Sequence, residues 1–272
     1  MRKNKILTRI CIGVLAATIV SSLAVATLFA KYISTGSGKS HVVYPYAFGV
    51  EITGFVREIC GVQDGKEYSF ADILAAKNTE TGMLDDAKAE EAKAKIAALK
   101  ADGDTAGGLV EVRVRGLKSG FGSMMTYGEK LDGRLAQGLM SIQAVKGVEV
   151  GMGFDVASVS GKDVHDEIFI AESGLKRTTN RAGGIEGGMS NGEELVLRVA
   201  MKPIPTLMRG LRTVDMRTGE AVAAASERSD VCAIVALEII VEAVVAQVLA
   251  FAVAERLGGD TMAQVAGRYQ EL

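Results

Sequence analysis

Alternating apolar and polar positions predict several β-strands along this chain. Successive side chains of a strand point to opposite faces, so a strand with one buried face shows a two-residue period. This alternation is found at residues 48–59, 109–116, 166–170 and 195–201. We predict a strand at each of these four places.

Apolar spacing of three to four residues, or a helix-favouring composition, predicts helices at residues 69–77, 84–100, 130–143 and 232–256. The last of these is almost wholly apolar, but Glu238 and Glu242 argue against a membrane-spanning role. Strands and helices follow one another in mixed order, without a regular strand–helix alternation. The pattern therefore predicts an α+β fold rather than a doubly wound sheet.

The N-terminal region differs from the rest of the chain. Residues 10–30 carry no charge and follow a basic start, and their length is about that of a helix crossing a bilayer. The same features fit a secretory signal peptide, and a buried soluble helix is a further alternative. We predict that residues 1–33 are a signal peptide or a transmembrane anchor, with membrane contact through 10–30. Residues 34–46 are then a linker and residues 47–272 a folded domain.

Bulk composition excludes some classes of partner. The net charge of −2 and the absence of tryptophan give no reason to expect nucleic acid as a partner. The three cysteines are far apart and show no C-x-x-C spacing, so neither a disulfide framework nor a metal site is predicted.

Three motifs in the second half of the chain have the chemistry of a ligand site. Residues 183–188 hold four glycines, which let a backbone approach a ligand closely. The sequence Lys-Pro-Ile-Pro-Thr at residues 202–206 holds a lysine on a stiff extended turn. Arg-Ser-Asp at residues 228–230 precedes the long apolar helix, and helix N-termini bind anions. We predict that the three motifs converge on one pocket. The alternatives are a simple glycine turn and a structural ion pair between Arg228 and Asp230.

The three motifs resemble those of chorismate synthase, a flavin-dependent family of enzymes. Further similarity lies at residues 122–123, 130–137, 140–148, 164–168 and 257–260, so the resemblance covers about residues 47–265. It implies a helical layer between antiparallel sheets and assembly as a homotetramer. It also implies a cytoplasmic location, which conflicts with the export or anchor segment predicted at the N-terminus.

The resemblance implies a carbon–oxygen lyase of the shikimate pathway of aromatic amino-acid biosynthesis. Its substrate is 5-enolpyruvylshikimate 3-phosphate, from which phosphate is eliminated to give chorismate. The cofactor is reduced FMN, and NADP is associated with the same family. The implied flavin-contacting residues are Gln143, Ala144, Gly187, Lys202, Pro203, Ile204, Pro205, Thr206 and Arg228. Arg228 also contacts substrate, and Asp230 handles a proton near the flavin.

Part of the family pattern finds no match in this sequence. The family's two catalytic histidines and most of its substrate-binding arginines belong to an N-terminal third that residues 1–46 do not resemble. Histidine acid–base catalysis contributes roughly 10²–10⁴-fold where it operates. We therefore expect weak FMN binding and an impaired or inactive enzyme. The alternative is a membrane-anchored, non-catalytic fragment or fusion product that keeps part of the fold as a binding or structural module.

Overall fold

The computed structural model describes residues 49–75, 80–172 and 174–272. The predicted signal or anchor segment at residues 1–33 and the predicted linker at 34–46 lie outside these residues. The predicted domain therefore contains all of the structure reported below.

An antiparallel sheet of five strands forms the centre of the described structure. Its strands are β1 (Glu51–Ile59), β2 (Val62–Gln63), β3 (Gly108–Arg115), β4 (Val145–Val150) and β9 (Leu195–Met201). They lie in the order β2-β1-β3-β9-β4, and every neighbouring pair is antiparallel. Alternation along β9 buries Leu195, Leu197 and Val199 on one face of the sheet.

The helices are α1 (Phe70–Ala75), α2 (Asp86–Ala101), α3 (Leu131–Met140), α4 (Gly161–Val164), α5 (Ile234–Leu257) and α6 (Met262–Glu271). A short 3₁₀ helix spans Gly153–Ser158. The Asp85 carboxylate caps α2 by accepting hydrogen bonds from the N–H groups of Ala87 and Lys88. At the start of α1, Ser69 and Asp72 exchange side-chain and backbone hydrogen bonds, as in a capping box.

Helices α3 and α5 cover the apolar face of the sheet. The buried core includes Val112 of β3 together with Leu135 of α3 and Val241 of α5. The two helices also pack on each other, and Gly138 of α3 leaves room for Val244 and Val248 of α5. The α+β class is confirmed, with the helical layer lying against an antiparallel sheet.

The long helix α5 is a core helix of this fold. Within the described ranges it is the one helix long and apolar enough to cross a membrane. Its face toward the sheet is buried, however, and that face includes the carboxyl groups of Glu238 and Glu242. The length of α5 is therefore accounted for by packing along the sheet.

Three two-stranded hairpins extend from the central sheet. They are β5–β6 (Ile168–Ala171 and Gly174–Arg177), β7–β8 (Ile185–Glu186 and Met189–Ser190) and β10–β11 (Arg212–Val214 and Ala221–Ala223). The first two belong to the segment between β4 and β9, and the third lies between β9 and α5. They carry or flank the glycine-rich and lysine-containing motifs.

Candidate functional site

The loop at residues 202–206 is fixed at the point where β9 ends. The Lys202 N–H donates a hydrogen bond of 2.9 Å to the carbonyl oxygen of Ala144. The Thr105 hydroxyl donates a bond of 2.7 Å to the carbonyl oxygen of Ile204. Pro203 and Pro205 restrict the backbone further. The loop is therefore held on two sides, and the Lys202 side chain is exposed.

The Arg-Ser-Asp segment lies directly against this loop. The Ser229 hydroxyl donates a 2.7 Å hydrogen bond to the carbonyl oxygen of Thr206. The Ala106 N–H donates a 2.7 Å bond to the carbonyl oxygen of Val231. Arg228 and Asp230, on either side of Ser229, are exposed. We call Gln143, Ala144 and residues 202–206 and 228–230 together the lysine half.

One expectation about this segment is wrong. Arg-Ser-Asp does not lie at a helix N-terminus, because α5 begins at Ile234 and its N-cap is Ala233. Cys232 forms a parallel β-bridge with Ala106, which keeps the chain extended before the helix. The alternative of a structural ion pair between Arg228 and Asp230 is likewise not seen among the ion pairs of residues 49–75, 80–172 and 174–272.

The chemistry of the lysine half suits an anion. Lys202 and Arg228 present two cationic groups at the surface, and the Asp230 carboxylate is exposed beside them in the sequence. Gly107 permits the close approach of the loop, since a Cβ there would lie 2.3 Å from the carbonyl oxygen of Met201. The described part of the chain groups no three His, Cys, Asp or Glu side chains that could hold a metal ion.

A cavity of about 320 Å³ opens at the same end of the sheet. Pro203 of the lysine half contributes to its wall. The other lining residues are Glu58, Cys60, Gly107, Gly108, Leu109, Ala200 and Met201. The lysine half therefore borders a concave, largely apolar surface, which could accommodate part of a ring system.

The glycine-rich segment has a different setting. Gly187 and Gly188 form the turn of hairpin β7–β8 with φ values of +60° and +86°. Gly187 is exposed, and a Cβ at this position would have no atom within 4 Å. Its backbone is therefore open to a ligand. We call residues 180–188 the glycine half.

Asp166 holds the glycine half in place. Its carboxylate accepts hydrogen bonds from the backbone N–H groups of Arg181 (2.8 Å) and Ala182 (3.0 Å), and also from the hydroxyl of Thr179. Partial burial raises the pKa of Asp166, but these hydrogen bonds outweigh it and lower that pKa below its ordinary value. Asp166 is thus a structural carboxylate with its oxygens committed to the backbone.

The glycine half and the lysine half lie toward opposite ends of strand β9. A Cβ on Gly184 would contact the carbonyl oxygen of Glu194, just before β9, whereas Lys202 follows the last residue of β9. An extended strand rises about 3.3 Å per residue, so β9 places the two halves roughly 20 Å apart. That Gly187, Lys202 and Arg228 contact one ligand stays a prediction. Gln143, Ala144, residues 202–206 and residues 228–230 do lie at the same end.

Sequence reasoning missed the segment that joins the two motifs of the lysine half. Thr105 and Ala106 bind the 202–206 loop and the segment after Asp230 through the hydrogen bonds described above. The sequence Asp-Thr-Ala-Gly-Gly at residues 104–108 has the composition of a turn. Nothing in that composition shows which distant segments the turn will contact.

Comparison with known proteins identifies related sequences. The family model described as "Chorismate synthase" matches residues 30–254. A chorismate synthase of Rhodococcus opacus (strain B4) is 49% identical over 226 residues, which cover 82% of this chain and 57% of that protein. One of Geobacter sulfurreducens is 47% identical over 234 residues, covering 82% of this chain and 60% of that protein.

A solved structure shows the same relationship. It is titled "Crystal Structure of Chorismate Synthase" and superposes with a TM-score of 0.70 at 36% sequence identity. The superposition covers 83% of this chain and 63% of that one. This chain therefore spans less than two thirds of the length of these relatives.

Proposed function

The chain belongs to the chorismate synthase family, and we propose that its lysine half binds reduced FMN and the phosphorylated substrate of that family's reaction. The observation that carries this proposal is that two cationic residues, Lys202 and Arg228, lie at the same end of the sheet. The Ser229–Thr206 hydrogen bond holds their two segments together, and the Lys202–Ala144 hydrogen bond fixes the loop to the residue before β4.

The residues of the lysine half fit the chemistry of FMN. A flavin nucleotide offers a phosphate, a ribityl chain and a ring with polar edge atoms, and needs cationic and hydrogen-bonding groups beside an apolar surface. Lys202 and Arg228 are such cations, Thr206 and Gln143 add polar side chains, and the neighbouring cavity supplies the apolar surface. When bound, reduced FMN supplies an electron-rich ring beside the substrate.

The substrate of the proposed reaction is 5-enolpyruvylshikimate 3-phosphate. Its carboxylates and phosphate are matched by guanidinium groups, which bind such anions through two parallel hydrogen bonds. Arg228 is exposed and available for that contact. We propose that Asp230, two residues further along, is the group that transfers a proton near the bound molecules.

We propose that this chain, on its own, forms chorismate slowly or not at all. The sequence has two histidines. His41 lies outside the described residues, and His165 is exposed at the end of α4, on the segment that leads into the glycine half. A histidine of the lysine half is therefore missing from the described part of the chain. This favours the second candidate, a flavin-binding module without catalytic activity.

The remaining expectations stay proposals of the same kind. We propose a homo-oligomer, a tetramer by analogy with the family, and a cytoplasmic location. Membrane contact through residues 10–30 concerns a segment outside the described residues.

The binding proposal is tested by anaerobic titration of the purified chain with reduced FMN. We expect Lys202→Ala to weaken binding about tenfold or more, because a charge-assisted hydrogen bond contributes roughly 1.5–3 kcal/mol. Lys95→Ala removes an exposed lysine from α2 and is the matched control, expected to bind like the unmodified chain. Equal affinities for all three proteins would refute the assignment of Lys202.

The catalytic proposal is tested separately with the same protein. Chorismate formation is measured with reduced FMN and 5-enolpyruvylshikimate 3-phosphate, beside a full-length member of the family. We expect no detectable product. A rate within about tenfold of the full-length enzyme would overturn this expectation, since it would mean that histidine catalysis of the usual size is present.

A further inference from the structure

We propose that the Thr105 hydroxyl is a positioning group of the flavin site, because it holds loop 202–206 in a fixed place beside the segment of Arg228. This inference rests on the proposed function, which assigns Lys202 and Arg228 to the same bound molecules. Thr105 itself is only 6% exposed. We therefore assign it no contact with a ligand, and its effect reaches the ligand through the loop.

Loop 202–206 continues strand β9 along the segment that precedes strand β3. The hydrogen-bonded pairing of β3 with β9 ends at Gly108 and Met201. Beyond that pair the two chains stay close, and the Arg209 side chain donates a 2.7 Å hydrogen bond to the Asp102 carboxylate. Thr105 lies midway along the chain between these two points of contact.

Two prolines prevent ordinary strand pairing in this loop. Pro203 and Pro205 have no N–H group and cannot donate a backbone hydrogen bond to the segment before β3. The β3–β9 register, continued past its last pair, places Thr105 opposite Ile204, the residue between the prolines. The Thr105 hydroxyl donates a 2.7 Å hydrogen bond to the carbonyl oxygen of Ile204. A side chain therefore supplies the link that the proline backbone cannot.

The neighbouring residue, Ala106, uses its backbone for the other motif. The same register places Ala106 opposite Pro203, which has no N–H to offer. The Ala106 N–H donates a 2.7 Å hydrogen bond to the carbonyl oxygen of Val231 instead. Consecutive Cα atoms are about 3.8 Å apart, so dipeptide 105–106 reaches both motifs of the lysine half within one residue step. This dipeptide therefore sets the position of the loop relative to Arg228.

Thr105 is the central one of three anchors on the loop. The Lys202 N–H, bonded to Ala144, fixes its first residue. The Ser229 hydroxyl, bonded to Thr206, fixes its last residue. Without the Thr105 hydroxyl, the carbonyl group in the middle of the loop would lose its donor and turn toward water. The loop would then have to be ordered when the ligand binds, which weakens binding.

The proposal is tested by anaerobic titration with reduced FMN. Thr105→Val keeps a branched side chain of similar size and removes the donor, and we expect it to weaken binding about fivefold. Thr105→Ser keeps the hydroxyl and loses the methyl group. We expect the serine variant to bind within about twofold of the unmodified chain. Rescue by serine separates the hydrogen bond from the packing of the side chain.

Tyr269→Phe is the matched control for a general loss of stability. The Tyr269 hydroxyl, on a residue that is 1% exposed, donates a 2.7 Å hydrogen bond to the carbonyl oxygen of Gly116, just past the other end of β3. This substitution also removes a buried donor, but far from the loop along β3. We expect Tyr269→Phe to be less stable in urea and to bind reduced FMN like the unmodified chain.

Hydrogen–deuterium exchange of the flavin-free chain reports the position of the loop directly. The Lys202 N–H is hydrogen-bonded to Ala144, so it exchanges only when this part of the loop opens. We expect its exchange to be about fivefold faster in Thr105→Val. The rate in Thr105→Ser and in Tyr269→Phe should match that of the unmodified chain.

Each outcome supports or overturns the role of Thr105. Weaker binding and faster exchange in the valine variant, both restored by serine, support it. Unchanged affinity of the valine variant overturns it, as does a serine variant that fails to recover or a Tyr269→Phe variant that is weakened equally. If the unmodified chain binds no FMN, the proposed function fails, and the exchange rates alone decide whether Thr105 holds the loop.

Discussion

Glu238 and Glu242 are two acidic side chains placed in an apolar interface. They lie one turn apart on the buried face of α5, next to Gly54 of β1. Burial raises the pKa of Glu238 to about 7. Burial and then the charge of Glu238 raise the pKa of Glu242 to about 9, against a hydrogen bond from the Gly54 backbone. The folded protein therefore holds both carboxyl groups protonated at mildly acidic pH.

This pair predicts a stability that declines as the pH rises. Both folded pKa values exceed the ordinary carboxyl value, so the folded state binds more protons than the unfolded state. The stabilisation is present below about pH 4.5 and is lost as the pH rises toward 9. We expect Glu242→Gln to remove several kcal/mol of this pH dependence, at about 1.4 kcal/mol for each unit by which the pKa is raised, measured by urea unfolding across the range. Glu271→Gln, at an exposed carboxyl group, should leave the slope unchanged, and a flat profile for the unmodified protein would contradict the prediction.

Substituting alanine for either of two glycines of the glycine half should lower the free energy of unfolding by different amounts. Both have positive φ, but a Cβ on Gly184 would lie 2.6 Å from the carbonyl oxygen of Glu194, whereas Gly187 has open space. We expect Gly187→Ala to cost about 1 kcal/mol from backbone strain alone. Gly184→Ala should cost roughly 3 kcal/mol, because a steric clash adds to that strain. Equal unfolding free energies for the two variants would show that the segment relaxes freely around Gly184.

At the scale of elements, a buried ion-pair network ties strand β1 to strand β3. The Arg57 side chain donates to Glu111 through Nε (3.1 Å) and Nη2 (2.8 Å) and to the carbonyl oxygen of Asp64 through Nη1 (3.1 Å). Arg113 donates to the other oxygen of Glu111 at 2.7 Å. Glu111 is therefore the shared acceptor of two arginines on the sheet face that α3 and α5 leave uncovered.

Removing this acceptor should destabilise the sheet. We expect Glu111→Leu to lower the free energy of unfolding by about 3 kcal/mol, because it leaves the buried Arg57 guanidinium with only the exposed Glu67 carboxylate, 3.8 Å away. Glu149→Leu is the matched control, since the Glu149–Arg198 pair of β4 and β9 is more exposed. Its cost should be below about 1 kcal/mol. Chemical denaturation of both variants at the same pH makes the comparison, and similar losses would contradict it.

Strands β9 and β4 show where hydrophobic periodicity is sufficient to predict a strand and where it is not. Strand β9 was predicted at residues 195–201 and is found there, because its two-residue period coincides with one buried face. Strand β4 was not predicted, although Val145, Val148 and Val150 are partly buried or buried. A bulge between Val145 and Gly147 breaks its alternation, so the sequence period does not reveal it.

At the scale of the whole molecule, α5 leaves an apolar face uncovered by the described residues. Ile239, Ile240 and Phe251 are among its exposed large apolar side chains. A patch of this kind favours association or aggregation.

We expect Ile240→Lys to raise the solubility of the chain while changing its unfolding free energy by no more than about 0.5 kcal/mol, as for other surface substitutions. Light scattering on heating and denaturant unfolding measure the two effects. The matched control is Ile234→Lys, because Ile234 is buried on the same helix. That variant should lose several kcal/mol by the cost of burying a charge, estimated at roughly 3 kcal/mol or more. A similar loss for Ile240→Lys would mean that this face is covered.

The sequence by itself determined the secondary-structure periods, the α+β class and the chemistry of the motifs. Hydrophobic period and residue type are local properties, and they are enough to identify Lys202, Arg228 and Asp230 as candidate ligand-contacting residues. Only the tertiary structure decided which motifs are neighbours. Residues 195–201, between the Gly-rich and Pro-rich motifs, could have formed a turn, but they form strand β9 and place the two motifs toward its opposite ends. Likewise, a hydrogen bond from Ser229 to Thr206 links segments that are distant along the chain, and no local pattern encodes such a contact.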